Sequence, residues 1–234
     1  MEEQRNEKGD MLSTSRTEAF SDGVFAIAAT LLVLELKVPH VEPGGLLGAL
    51  LERWPSYATY AVSFLTTGII WVNHHAVMDR IKKVNRPLLF LNLVFLMAVA
   101  AIPFPTALLA DYLRVGHDER LAAALYGTTM AVMGIAFGIM WAYAVLSDDL
   151  LHAGIDPDRA RRSLLIFAAG TPLYLLAIGV SLLRAELALG IYALLALFYL
   201  FDVLPPLESG EVRKHPPGHS LLGRPKAKAG GRRT

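Results

Sequence analysis

The sequence predicts an all-α integral membrane protein of six transmembrane helices with both termini in the cytoplasm. Three observations carry that reading. Hydrophobic residues make up 54% of the 234-residue chain and charged residues only 18%, less polar surface than a soluble domain of this size needs. Six apolar stretches recur, each close to the roughly 20 residues that cross a hydrocarbon core about 30 Å thick. Lys and Arg fall unevenly among the connections.

The first stretch runs from about Ala19 to Val38 and carries Asp22 and Glu35; Pro39 follows it. The second spans Ser56 to about Met78 and closes with Trp71-Val-Asn73-His74-His75. The third opens at Pro87, a favoured first-turn residue, and reaches about Ala110, with Pro103-Phe-Pro105-Thr106 expected to kink or break it. The fourth is Leu121 to Leu146, the fifth Leu164 to Leu183 behind Asp156-Pro157, and the sixth Leu187 to Leu204 ahead of Pro205-Pro206. No stretch has the cleavage-site pattern of a secretory signal.

Orientation follows from the basic residues. One side holds Arg5, Lys8 and Arg16, then Arg80, Lys82, Lys83 and Arg86, then Arg159, Arg161 and Arg162, and seven more in the tail; the other holds only Lys37, Arg53, Arg114, Arg120 and Arg184. The chain thus divides into a polar N-terminal segment (1–15), a six-helix domain (16–207) and a basic tail (208–234). The tail has too few apolar residues to order itself. It serves as a solvated reinforcement of topology or as a contact for anionic lipid.

Some chemistry is excluded. With no cysteine there is no disulfide, thiolate metal site or cysteine nucleophile. Paired intramembrane aspartates, H-E-x-x-H and G-x-S-x-G are all missing from the sequence, so neither an enzyme nor a cofactor is expected, and a net charge of +1 suggests no nucleic-acid partner.

The first stretch carries the unusual residues. At about 100° per residue, Ile27, Leu31 and Leu34 share one stripe, whereas Asp22 points about 140° away from Ile27. A carboxylate in lipid costs several kcal/mol, about the desolvation penalty of an unpaired charge, so Asp22 is expected to face neighbouring helices. Ser21, Arg16, Trp71, Asn73, His74, His75 and Asn92 lie at the same depth as candidate partners. The cluster reads either as a clamp between three helices or as a proton relay or ligand site. Adjacent histidines diverge by about 100°, which argues against a metal site. Trp141 and Tyr143 read as packing or interface residues.

Arg16-Thr-Glu-Ala-Phe20-Ser21-Asp22 has the form R-x-x-x-F-S-D at the head of a first membrane helix. It resembles the signature of the transmembrane protein 175 family, potassium-permeable channels of lysosomes and bacteria. Trp71-Val-Asn73-His74-His75, Asn92-Leu-Val-Phe-Leu and Pro103-Phe-Pro105-Thr106 extend the resemblance over residues 16–110. The resemblance implies a homotetramer in a bacterial plasma membrane, with the first helices surrounding a central pore that lacks a re-entrant carbonyl filter. It also implies an apolar constriction at Ile27, then Leu31 and Leu34, and an interhelical network of the F-S-D residues with Trp71, Asn73, His74, His75 and Asn92. Arg16 aligns at the cytoplasmic entrance. The expected ligand is permeant potassium, the expected partners are further copies of the chain, lipid and monovalent cations. The competing expectation is a proton leak or proton-coupled transporter built on Asp22, His74 and His75. Ordinary packing of the stripe against a neighbouring helix is the plainer alternative for Ile27.

Overall fold

The computed structural model describes residues 14–147 and 149–201. The expectations for the N-terminal segment up to residue 13 and for the basic tail lie outside these residues. Eight α-helices occur among the described residues: α1 (Thr14–Leu31), α2 (Leu46–Glu52), α3 (Trp54–Met78), α4 (Arg86–Ala101), α5 (Pro103–Val115), α6 (Glu119–Leu146), α7 (Pro157–Ser181) and α8 (Ala185–Phe201). A 3-10 turn, Leu32–Glu35, prolongs α1.

Helix ends follow local chemistry. The Asn85 side chain accepts from the Leu88 N–H at 3.0 Å, with Pro87 in the first turn, and so starts α4. Asp156 caps α7 in the same way ahead of Pro157. Gly116 stops α5 in a left-handed conformation, φ 75°, which costs a glycine no steric clash. The third apolar stretch breaks where its prolines stand: α4 ends at Ala101 and α5 begins at Pro103. Pro103 and Pro105 have no N–H to continue the ladder. Thr106 takes up the Ile102 carbonyl with both its N–H, at 3.2 Å, and its hydroxyl, at 2.8 Å.

Four helical units are long and apolar enough to cross a membrane: Thr14–Glu35, Arg86–Val115, Glu119–Leu146 and Pro157–Ser181. The other two expected spans differ in kind. α3 has 25 residues but carries Ser56, Thr59, Ser63, Thr66, Thr67 and His74 along its buried side. α8 contributes the shorter apolar run Ala185–Leu197. The described part of the chain is therefore a helical membrane protein in which α3 turns a stripe of hydroxyls into the bundle and large apolar side chains outward.

α6 is the centre. Met130, Met133, Phe137, Met140 and Trp141 on it are buried, and it packs against α4, α5, α7 and α8. α1 lies to one side, against α3 and α4. The two ends of the bundle are tied separately. At one end Lys82 N–H donates to the Leu150 carbonyl at 2.8 Å and His152 N–H to Arg80 at 3.1 Å, framing a bridge between Ile81 and Leu151. At the other, Arg53 donates to the Lys37 carbonyl at 2.9 Å and Lys37 pairs with Asp111 at 3.8 Å. Trp141 and Tyr143 are packing residues: Trp141 is fully buried with its indole N–H on Ser163 Oγ at 2.8 Å, and the Tyr143 hydroxyl accepts from Asn85 at 2.9 Å.

Candidate functional site

α1 has two unlike faces. Thr17, Ser21, Phe25 and Ala28, followed by Leu32, recur at three- and four-residue steps and are buried, the spacing of one helical stripe. On the far side Phe20, Ile27 and Leu34 are 56%, 60% and 66% exposed, and Leu31 is 41% exposed. Among the described residues Ile27 is thus not enclosed by a neighbouring helix. Leu34 lies on the 3-10 turn rather than on the α-helix that the sequence led one to expect. At about 120° per residue there, it stays within roughly 40° of Ile27, so the ridge survives the change of helix type.

The buried face ends in a hydrogen-bonded chain across three helices. His74 Nε2 lies 2.9 Å from Asn92 Oδ1, Asn92 Nδ2 donates to Ser21 Oγ at 3.0 Å, and Ser21 Oγ donates to the Thr17 carbonyl at 2.8 Å. An amide oxygen only accepts, so His74 carries its proton on Nε2 and the whole chain runs one way. It terminates on a backbone carbonyl, where no further proton acceptor follows. Phe25 and Phe95 flank the imidazole at ring separations of 5.6 and 5.5 Å, with Phe137 at 6.5 Å.

The remaining candidates do not join that chain. Asp22 is exposed rather than enclosed between helices. Its Oδ1 accepts the Trp71 indole N–H at 2.8 Å, so the carboxylate keeps one neutral partner and a solvent-facing side. Trp71 stacks on His75 at 6.0 Å, and His75 lies 3.7 Å from Asp79 on the next turn. Asn73 turns back to the Ile69 carbonyl at 3.1 Å. Arg16 and Phe20 are exposed. A single cluster at one depth is thus two: a closed buried chain (Ser21, His74, Asn92) and an open rim (Asp22, Trp71, His75). The two histidines, one buried and one exposed, point to different sides of α3.

Residues 16–103 match the family described as endosomal/lysosomal potassium channel TMEM175. A potassium channel of Streptomyces collinus is 48% identical over 196 residues, which cover 83% of this chain and 95% of that one.

The chain belongs to the TMEM175 family.

The crystal structure of a lysosomal potassium-selective channel TMEM175 homolog from Chamaesiphon minutus is similar over 80% of this chain and 96% of that chain, at 38% identity and a TM-score of 0.73. The endosomal/lysosomal proton channel TMEM175 of Homo sapiens is 33% identical over 144 residues, 58% of this chain and 29% of that protein. The TMEM175 match encloses the ridge, the buried chain and the rim together.

Two features of this TMEM175 chain escaped the sequence reading. Thr30, exposed on the flank of the ridge, donates its hydroxyl to the carbonyls of Ala26 and Ile27 at 2.9 and 3.0 Å. Thr30 adjoins Leu31 on the ridge as Glu35 adjoins Leu34, and its place one turn beyond Ile27 was the available signal. Deeper in the bundle Ser63 Oγ bridges Thr106 Oγ1 at 2.8 Å and the Tyr126 hydroxyl at 3.0 Å, joining α3, α5 and α6 in a second polar clamp.

Proposed function

We propose that this chain forms a potassium-permeable channel in which the exposed ridge of α1 lines a pore on the axis of a homotetramer. Six helices cross a bacterial plasma membrane, counting polar α3 and short α8, with both termini in the cytoplasm. The end tied by the Lys82–Leu150 and Arg80–His152 hydrogen bonds is the cytoplasmic one, as its Lys and Arg content requires.

The observation that carries the proposal is the contrast on α1. Its buried face ties Ser21 into a hydrogen-bonded chain within the subunit, while Ile27 and Leu34 are mostly exposed and Leu31 partly so among the described residues. Four such ridges meeting on an axis make a dry constriction with Ile27 as its main gate. Apolar rings offer an ion no ligands and block by dewetting, so conduction requires the ring to widen and admit an ion that keeps most of its water. Discrimination then favours potassium, whose hydration shell is the more easily shed. Thr30 supplies oxygen atoms just beyond the ring. Ser21, His74 and Asn92 hold the pore helix to its own subunit, and the Asp22–Trp71 rim lies beside the cytoplasmic entrance with Arg16.

The test is reconstitution of purified protein in planar bilayers under opposed potassium and sodium gradients. The expected reversal potential lies toward the potassium equilibrium value, and one at zero contradicts the proposal. The competing proton-relay reading requires a continuous path through His74. Its hydrogen-bonded chain ends on the Thr17 carbonyl, which favours the clamp.

A further inference from the structure

A partly open cavity of about 90 Å³ lies within the subunit, between α3, α6, α7 and α8 and away from the α1 ridge. Its walls are chiefly apolar, including Ile69, Phe95, Met133, Phe137 and Phe167, and no charged residue lines it. Five polar side chains break that lining; Thr66 is already bonded to the Val62 carbonyl and Tyr199 has an interaction of its own, which leaves three. Thr171 and Tyr174 line it from adjoining turns of α7 and Asn73 from α3. Among the described residues the hydroxyls of Thr171 and Tyr174 make no hydrogen bond, and Asn73 uses only its Nδ2, on Ile69. Other hydroxyls on the polar helix behave differently: Thr59, Thr66 and Thr67 each bond a backbone carbonyl one turn back.

We infer that this cavity is a binding site for a small neutral amphiphile, an apolar ring or short chain bearing one hydroxyl or carbonyl group. Size, polarity and charge each narrow the class. Room for about three waters is present, but each buried water needs two to four polar partners, and the wall offers three loose groups among many apolar ones. An enclosed apolar cavity of ~150 Å³ holds benzene; this one is smaller, about 90 Å³, but partly open, so a single ring sits with part of it in the open mouth and its polar substituent on Thr171, Tyr174 or Asn73. The absence of a lining charge excludes an ionised ligand, whose unpaired burial is costly. The cavity wall also reaches the pore helix. Phe95 lines the cavity and sits 5.9 Å from Phe25 of α1 and 5.5 Å from His74, so an occupant presses on the residues that hold α1. The binding inference stands independently of where the ridge faces.

The test uses the full chain in lipid nanodiscs and a benzyl alcohol carrying a photoreactive diazirine, with adducts mapped by peptide mass spectrometry. Adducts are expected on the α6 and α7 peptides that carry Met133, Phe137, Thr171 and Tyr174, and excess benzyl alcohol should remove them. Gly134 lines the cavity and has open space where a Cβ would stand. Gly134→Leu therefore fills the site and should lower labelling about tenfold or more, equivalent to ~1.4 kcal/mol. Thr171→Val and Tyr174→Phe keep the shape and should weaken competition by benzyl alcohol roughly three- to tenfold, the worth of a hydrogen bond, while leaving competition by toluene unchanged. Adducts confined to the exposed α7 residues Leu175 and Leu176, adducts that resist competitor, or competition by benzyl alcohol equal to wild type in the Thr171→Val and Tyr174→Phe proteins would overturn the inference.

Discussion

The two faces of α1 obey different rules although they share one backbone. On the inner face Ser21 is enclosed and hydrogen-bonded to Asn92, which in turn holds His74. On the outer face Ile27 and Leu34 are mostly exposed among the described residues. A membrane offers no hydrophobic drive between helices, since lipid tails are as apolar as leucine. Close packing of Phe25, Ala28 and Leu32 together with the polar groups therefore fixes the inner face, and the apolar outer face is free to take whatever lies beyond the subunit. If the outer face lines the pore as proposed, stability and permeation lie on opposite sides of one helix, and substitutions should separate them.

The largest effect is expected inside. Asn92→Leu removes both hydrogen bonds and leaves Ser21 and His74 without their partner. At about 1–3 kcal/mol for each buried group left unsatisfied, the protein should lose several degrees of thermal stability or fail to assemble, as read by size-exclusion after heating. A stable Asn92→Leu protein with altered ion preference would place the inner face in the ion path.

Next comes the outer face. Ile27→Asn wets the proposed constriction with little burden on the fold. Lowering the barrier by even ~1.4 kcal/mol raises the rate about tenfold, so potassium flux into liposomes should rise by at least that factor while potassium–sodium preference falls. Unchanged flux would remove Ile27 from the gate.

The rim should fall between the two faces in character and below both in size. Trp71→Phe deletes the Asp22 hydrogen bond but keeps the ring beside His75. A loss of about 1 kcal/mol is expected, visible as a small drop in melting temperature with flux little changed. Leu34→Ala, on the 3-10 turn at the end of the ridge, should change flux less than the same truncation at Ile27, and a larger change would shift the gate outward.

Much of this arrangement is legible in the sequence because its signals are local. Apolar runs, Pro103-Phe-Pro105 and the Asp156-Pro157 start act on the residues beside them, and the structure places helix ends there. The stripe of Ile27, Leu31 and Leu34 is legible from spacing, but that it faces outward is not: periodicity alone reads it as ordinary packing, and its exposure is visible only in the structure. What is not legible depends on distant residues. Ser63 meets Thr106 and Tyr126 across 43 and 63 positions, and no periodicity announces such a pairing. The sorting of Asp22 to an open rim and Asn92 to a closed chain is of the same kind, decided by which side of α3 each neighbour occupies. The short α2, with Leu46, Leu47, Leu50 and Leu51 all exposed, lies in a loop too brief to register as a span. The 3-10 close of α1 carries no proline or glycine of its own to mark it.

The central claim is that the α1 ridge faces water and ions rather than lipid or another helix. The chain has no cysteine, so one introduced thiol reports alone. Ile27→Cys channels in liposomes should lose potassium flux on addition of a small cationic methanethiosulfonate reagent, whereas Leu175→Cys, exposed on α7, should keep it. Loss of flux at position 175 with full flux at position 27 would contradict the account.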